Sequence, residues 1–223
     1  MRRRNRAKSI LSLQRNLKEK TMVNGESLYK IGEEGTELFL VEQGVISVTL
    51  DGVTVFSVLP GELCGEYALI FGRPRNTSAT CLSEVCRVQS MSSDDFQKLN
   101  KSNPTMRFSL REAALRRQFQ KALVFATKKP FPTEEAELKE AFKAVDFNHS
   151  GTIDLSDVAH CLKNMDSSFT DKDIVDILDS LDLDESGSIS WDEFKRVGTC
   201  ECGLPFSEFF DPKSFFLTIL MPF

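Results

Sequence analysis

Twelve residues of this chain set oxygen atoms at the rhythm a hard cation requires: Asp182-Leu183-Asp184-Glu185-Ser186-Gly187-Ser188-Ile189-Ser190-Trp191-Asp192-Glu193. Calcium takes six to eight oxygen ligands, and a tight twelve-residue loop can supply them from alternate positions. Asp182, Asp184 and Ser186 stand at the first, third and fifth places. Gly187 permits the sharp turn, Ser188 offers its carbonyl, Ser190 acts through a water, and Glu193 closes the shell with both carboxylate oxygens. A second loop, Asp146-Phe147-Asn148-His149-Ser150-Gly151-Thr152-Ile153-Asp154-Leu155-Ser156-Asp157, begins 36 residues earlier. Asp146, Asn148, Ser150 and Thr152 fill its ligand places, Gly151 its turn, and Ile153 matches Ile189. Its closing residue is Asp157, whose stem is one carbon shorter than that of glutamate. Two-oxygen contact with calcium is then harder, so this loop is expected to bind calcium more weakly, or to accept magnesium, whose smaller shell needs fewer protein oxygens.

A different chemistry is written at Gly65-Glu66-Tyr67-Ala68-Leu69-Ile70-Phe71-Gly72-Arg73-Pro74-Arg75-Asn76-Thr77-Ser78. Gly65 lets the backbone come close to a ligand, and a short helical turn starting near Glu66 offers N–H groups to a phosphate. Arg75 brings a planar, permanently charged fork suited to phosphate oxygens. Glu66 places an acceptor where a ribose hydroxyl could donate. Phosphate and sugar recognition within about ten residues points to a nucleotide.

The elements that must carry these groups are legible too. Residues 21–92 read as β structure. Ile46, Val48 and Leu50 alternate with Val45, Ser47 and Thr49, Asp51-Gly52 is a two-residue hairpin turn, and Val53, Val55 and Ser57 alternate with Thr54, Phe56 and Val58. Residues 93–128 read as two helices, the second with an apolar stripe at Leu115, Phe119, Ala122 and Ala126. Lys128-Lys129-Pro130-Phe131-Pro132 breaks the helix. Beyond it, Leu138, Ala141, Phe142 and Val145 precede the first acidic loop, and Ile174, Ile177, Leu178 and Leu181 precede the second. Glu134 and Glu135 follow Thr133 in a first helical turn, where the helix dipole favours them.

With these residues in place, two resemblances emerge. The stretch from Gly65 to Arg75 resembles the phosphate-binding cassette of the cyclic-nucleotide-binding domain family, matching at Gly65, Glu66, Ala68, Leu69, Pro74 and Arg75. Ile31-Gly32-Glu33-Glu34-Gly35-Thr36-Glu37-Leu38-Phe39 and Gly44 resemble its β-roll turns. The resemblance implies that Arg75 holds the cyclic phosphate, Glu66 the ribose 2′-hydroxyl, and backbone N–H groups near Tyr67 and Ala68 the rest of the anion, with Thr77 and Ser78 assisting. Asn76 stands where cyclic-AMP-type sites usually carry alanine and cyclic-GMP-type sites often threonine, which leaves the base open. Phe119 and Leu123 are candidates to close the pocket. Residues 133–197 resemble one calmodulin-like lobe, a pair of EF-hands.

The expected fold is therefore α+β: residues 1–20 a basic arm or helix, 21–128 a β-roll cyclic-nucleotide-binding domain, 129–132 a linker, 133–198 an all-α EF-hand pair, and 199–223 a phenylalanine-rich tail. Charge divides the same way. Residues 1–130 hold 21 Lys and Arg against 13 Asp and Glu, while residues 131–223 hold 7 against 20, as two modules with an anionic and a cationic ligand would. The 6 cysteines form no disulfide framework, which suggests a reducing, cytoplasmic setting. Cys64, Cys81 and Cys86 read as small core residues, and Cys200-Glu201-Cys202 lacks the spacing of a zinc site. No apolar run reaches the ~20 residues of a transmembrane helix. Arg2, Arg3, Arg4 and Arg6 form a solvated arm; a mitochondrial presequence shares that composition. Arg6-Ala7-Lys8-Ser9-Ile10 has the form of a basic-directed kinase site, and Phe206, Phe209, Phe210, Phe215 and Phe216 could cover the groove of the EF-hand pair.

The sequence thus leads to a regulatory sensor that binds a cyclic nucleotide (cyclic AMP or cyclic GMP) and calcium and passes its ligand state to an unidentified protein target. It implies no nucleic acid, and a membrane only as part of a larger protein. The alternatives are a cytoplasmic regulatory portion of a channel, transporter or kinase, and a calcium sensor with a degenerate nucleotide domain. An enzyme is not expected, for no kinase catalytic loop, metal-hydrolase motif or nucleophile elbow is present.

Overall fold

The computed structural model describes residues 17–132 and 134–197. Within them the chain divides into two compact units, one of residues 17–49 and 57–108, the other of residues 50–56 and 109–197. The basic arm up to residue 16, Thr133, and the segment from residue 198 with Cys200, Cys202 and its phenylalanines lie outside the described residues.

The first unit is built on short strands: β1 (Lys18–Val23), β2 (Ser27–Tyr29), β3 (Glu37–Gln43), β4 (Ile46–Leu50), β5 (Val53–Val58), β6 (Leu63–Cys64), β7 (Ser78–Cys81) and β8 (Val85–Ser92). They form two four-stranded sheets, in the orders β1-β8-β3-β6 and β2-β7-β4-β5. Antiparallel pairing joins β1 to β8, β8 to β3, β3 to β6, β2 to β7 and β7 to β4. β1 starts at Lys18, inside the stretch read as a basic arm. Along β8 the buried Cys86, Val88 and Ser90 alternate with Val85, Arg87 and Gln89, the period of a strand with one face in the core. Asp51 and Gly52 both take positive φ, 50° and 78°, as the two central residues of a type I′ turn require. β5 departs from the expected alternation, since Val55 and Val58 are its buried residues. The cause is its divided duty. Val53, Val55 and Phe56 pack with Leu50, Val124, Phe125, Phe131 and Met165 in the second unit, whereas residues from 57 onward belong to the first.

A short helix, α1 (Glu66–Phe71), sits between β6 and β7, and α2 (Ser93–Ser102) follows β8. Ser92 caps α2 by accepting from the Asp95 N–H at 3.2 Å, and Phe96 and Leu99 turn inward.

The long helix α3 (Pro104–Thr127) enters the second unit at Ser109. There Leu115, Phe119 and Ala122 of the expected stripe are buried, but Ala126 is exposed near the helix end. After the Pro130–Pro132 break come α4 (Glu135–Val145), β9 (Ile153–Asp154), α5 (Leu155–Met165), α6 (Asp171–Asp179), β10 (Ser188–Ile189) and α7 (Trp191–Phe194). Glu134 stands at the N-cap of α4 without a side-chain cap bond. The next three helices each start with a capping box, Asp154 with Asp157, Thr170 with Asp173, and Ser190 with Glu193. Such a box satisfies two orphan N–H groups at each helix start.

Cys64, Cys81, Cys86 and Cys161 are free and buried. Burial, then the neighbouring Cys86 thiol, pushes the Cys81 thiol up to about 11; burial, then the Asp157 charge, pushes Cys161 up to about 12. Thiolate is the reacting form, and at pH 8 both groups stay protonated. Iodoacetamide at pH 8, followed by peptide mass mapping, is expected to leave Cys81 and Cys161 unmodified in the native protein and to modify both in urea. Fast native labelling of either would contradict the buried placement.

Candidate functional site

The first unit gathers its chemistry around Arg75. Gly65 has φ 82° and stands at the N-cap of α1, and Gly72 closes that helix with φ 63°. Left-handed backbone at both ends confines α1 to a single turn and a half. Gly65 has a second reason to lack a side chain: a Cβ there would lie 2.5 Å from Nη1 of Arg75. That nitrogen instead donates to the Gly65 carbonyl at 2.5 Å, and Nη2 donates to the carbonyl of Glu37.

The guanidinium lies over the Tyr29 ring, 4.4 Å from its centroid, and 5.8 Å from that of Phe39. Arg75 is 5% exposed and Glu66 6%. Nε of Arg75 is buried with no hydrogen-bond partner among the described residues. A buried donor left in that state carries a desolvation penalty that an entering anion would relieve. The main chain at Arg75 is clamped as well, its N–H donating to Glu33 at 2.8 Å and its carbonyl accepting from Gly32 at 2.7 Å.

Of the residues singled out in the sequence, Gly65, Glu66, Tyr67 and Ala68 fall on one turn, and Thr77 is buried with a hydrogen bond to Tyr29. Asn76 is half-buried. Ser78 uses its hydroxyl to accept from the Ile31 N–H at 3.0 Å. Tyr67 accepts from Arg73 at 3.4 Å. A cleft of 470 Å³ is lined by Gly35, Ala68, Leu69, Arg73, Pro74 and Gln97 among others, while Glu66 and Arg75 do not reach its wall.

Sequence reasoning missed Tyr29, and it read Glu37 and Phe39 as part of the β-roll turns without placing them at Arg75. Burial, then the Cys64 and Glu66 charges, pushes the Tyr29 phenol well above its usual range, against the pull of Arg75 and of its hydrogen bond with Thr77. Tyr29 is therefore a neutral ring under the guanidinium. An aromatic three residues before Gly32 was the available signal, but its pairing with Arg75 depends on strand order. Phe119, read as a candidate to close this pocket, packs instead edge-on against Phe194, with centroids 6.3 Å apart at 88°.

In the second unit the two acidic loops are near copies. Asp146 accepts from Ser150 N at 2.9 Å and from Gly151 N at 2.9 Å; Asp182 does the same with Ser186 N at 3.0 Å and Gly187 N at 2.6 Å. Asn148 and Asp184 each accept from the serine N–H two residues on. The Ser150 and Ser186 hydroxyls donate to the Thr152 and Ser188 carbonyls. Gly151 and Gly187 have φ 87° and 85°, and the fourth residues, His149 and Glu185, are also left-handed at 54° and 57°. Ile153 pairs with Ile189 in the antiparallel β9–β10 ladder, which ties the loops together.

The closing residues also match. Glu193 accepts from Leu183 N at 2.7 Å and from Ser190 N at 2.8 Å. The shorter Asp157 still reaches Phe147 N at 3.1 Å and Asp154 N at 3.1 Å. Carboxylate oxygens of Asp182, Asp184 and Glu193 come within 4.8 Å of one another. Burial raises the Glu193 carboxyl, but donation from the N–H and hydroxyl of Ser190 and the N–H groups of Leu183 and Asp184 outweighs it and holds the group below its usual range. Glu193 is thus an anion aimed into the loop. The donor set is all oxygen and matches a hard divalent cation, calcium above all.

The comparisons with known proteins agree with this geometry. Residues 19–103 match the family model of the cyclic nucleotide-binding domain, and residues 135–197 that of the EF-hand domain pair. The chain therefore contains a cyclic nucleotide-binding domain followed by an EF-hand pair. It is similar to a cyclic nucleotide-gated potassium channel of Mesorhizobium japonicum, 33% identical over 109 residues, covering 49% of this chain and 30% of the channel. It is also similar to troponin C of Todarodes pacificus, 33% identical over 75 residues, covering 34% of this chain and 51% of that protein. Among solved structures it overlaps the regulatory domain of Toxoplasma gondii PKA with cAMP at a TM-score of 0.42 and 23% identity, covering 62% of this chain and 50% of that one. The chain spans about half or less of the length of these relatives. Among the described residues no helix is long and apolar enough to cross a membrane.

Gly65→Ala is expected to cost about 1–2 kcal/mol from the left-handed backbone alone, and more because the new Cβ meets Arg75. Urea denaturation of the first unit's transition measures it. A loss under about 0.5 kcal/mol would contradict the close approach, since ordinary surface substitutions fall in that range.

Proposed function

We propose that the chain is a regulatory sensor that binds a cyclic nucleotide at Arg75 and calcium at the two acidic loops, and signals its ligand state to a protein target. The nucleotide half rests on one observation: a buried arginine and a buried Glu66 in a phosphate-cassette sequence, with Nε of the arginine lacking a hydrogen-bond partner among the described residues. Arg75 would hold the phosphate, Glu66 the ribose hydroxyl, and the Gly65–Ala68 turn the remaining anionic oxygens, with Thr77 buried alongside. Asn76 is the residue through which the base, adenine or guanine, would be selected. The presence of both Glu66 and Arg75 argues against a degenerate nucleotide domain.

The calcium half rests on the convergence of Asp182, Asp184 and Glu193. Ser186 and the Ser188 carbonyl complete that loop. Asp146, Asn148, Ser150, the Thr152 carbonyl and Asp157 form the first, weaker site, where magnesium competes. When bound, the cation supplies charge that gathers these oxygens; the protein supplies their spacing. The function is binding without turnover, and the free, buried state of the four cysteines among the described residues fits a cytoplasmic setting. A second reading, a regulatory portion of a larger channel or kinase, draws on the match to 30% of a channel's length.

Isothermal titration of the purified chain with cyclic AMP and cyclic GMP, and separately with calcium, tests both halves. Arg75→Ala is expected to weaken nucleotide binding at least tenfold, the cost of removing one partner of a charge-assisted bond; unchanged affinity would sink the nucleotide half. Glu193→Gln is expected to abolish the tighter calcium site and Asp157→Asn the weaker. If Glu193→Gln left both sites intact, loop 182–193 would not be the tighter one.

A further inference from the structure

We propose that α3 is the resident target helix of the EF-hand pair, clasped through Phe194, so that calcium at loop 182–193 and the hold on α3 strengthen one another; this rests on the calcium reading above. An EF-hand pair buries the apolar face of an amphipathic helix in its groove. Here the helix comes from the same chain and lies between the two stretches that match family models.

The clasp has five points. Arg111 Nη2 donates to Asp176 Oδ2 on α6 at 2.7 Å. Arg116 Nε donates at 3.1 Å to the carbonyl of Ser180, the C-cap of α6. Gln120 Nε2 donates at 2.7 Å to the carbonyl of Val197, just past α7. The Ser180 carbonyl stands at a helix end, where the helix itself offers no partner, so α3 completes the hydrogen bonding of α6. Val124 shares an apolar cluster with Met165 at the end of α5. At the centre, Phe119 meets Phe194, and both rings are fully buried. The clasp thus touches helices from both EF-hands.

Its link to the cation site is covalent and short. Glu193, which closes the calcium loop, and Phe194, which grips α3, are consecutive residues on the four-residue helix α7. Phe194 also stands edge-on to Phe142 of α4 at 5.2 Å, and Phe142 edge-on to Trp191 at 5.6 Å. Any motion of α7 that moves the Glu193 carboxylate moves Phe194 against Phe119. In this structure the clasp is made and the three carboxylates are gathered within 4.8 Å, so the clasped state is the cation-ready state. Linkage is reciprocal: loosening α3 lowers calcium affinity, and calcium tightens α3.

The test uses the intact chain and its single tryptophan, Trp191, whose ring lies 6.2 Å from that of Phe194. Calcium is titrated while Trp191 fluorescence is read, with calorimetry in parallel. Phe119→Ala is expected to move the calcium midpoint about fivefold or more to higher concentration. The double variant Arg116→Ala/Gln120→Ala removes two hydrogen bonds and no core volume, and should move it about two- to threefold the same way. Lys98→Ala, on α2, should not move it. If Phe119→Ala does not fold, the double variant decides. Midpoints within experimental error of wild type, or shifted to lower calcium, in a variant that keeps its far-ultraviolet helicity would overturn the clasp. A wild-type chain with no calcium response by either method would remove the calcium reading itself, and the proposal with it.

Discussion

A charge taken out of water must be answered by hydrogen bonds or by a counter-charge, and both units of this chain are organised by that constraint. Moving an ion into a protein interior costs several kcal/mol even after relaxation. Arg75 and Glu66 in the first unit, and Asp146, Asp157, Asp182 and Glu193 in the second, are each less than a tenth exposed. A fold that only needed to be stable would leave such groups at the surface. The chain instead spends backbone on them. Gly65 and Glu37 give carbonyls to Arg75, and Leu183, Asp184 and Ser190 give N–H groups to Glu193. In the first unit the answer is incomplete, for Nε of Arg75 has no partner among the described residues. In the second, three carboxylates face one another. An anion and a cation are the ligands that would resolve these two imbalances.

The same economy governs the second unit's packing. Glu193 closes a loop and caps α7 at once, and its neighbour Phe194 is the centre of an aromatic group. Fully burying a ring such as Phe119 contributes about 1.5–3 kcal/mol, and an edge-to-face pair adds about 0.5–1.5 kcal/mol. Exposed ion pairs such as Lys129–Glu140 contribute little by comparison. The loop geometry and the hold on α3 are thus supported by one set of contacts, and a change in either is felt by the other.

The parts of this picture that sequence could show were the local ones. The two acidic loops were legible from the sequence, because the residues that shape each lie within twelve positions and the turn demands glycine at Gly151 and Gly187. The Ile153–Ile189 pairing followed from the repeat. The hairpin at Asp51-Gly52 followed from backbone chemistry. Left-handed φ at His149 and Glu185 was not legible, since neither residue type announces it. Tyr29 and Glu37 lie 46 and 38 positions from Arg75, and only the strand order brings them under and beside its guanidinium. The stripe on α3 announced a buried face but not its partner. Phe119 suits a nucleotide lid as well as an EF-hand groove, and the choice is made by packing that periodicity does not encode.

Hydrogen exchange of the intact chain, resolved by peptide and measured with no ligand, with cyclic AMP, with cyclic GMP and with calcium, tests the central claim of two separate ligand sites most directly. A cyclic nucleotide is expected to slow exchange at residues 63–78, and calcium to slow it at residues 146–157 and 182–193 and along α3 from Ser109. Uniform exchange at residues 63–78 under both nucleotides, or calcium protection absent from both loops, would contradict that claim.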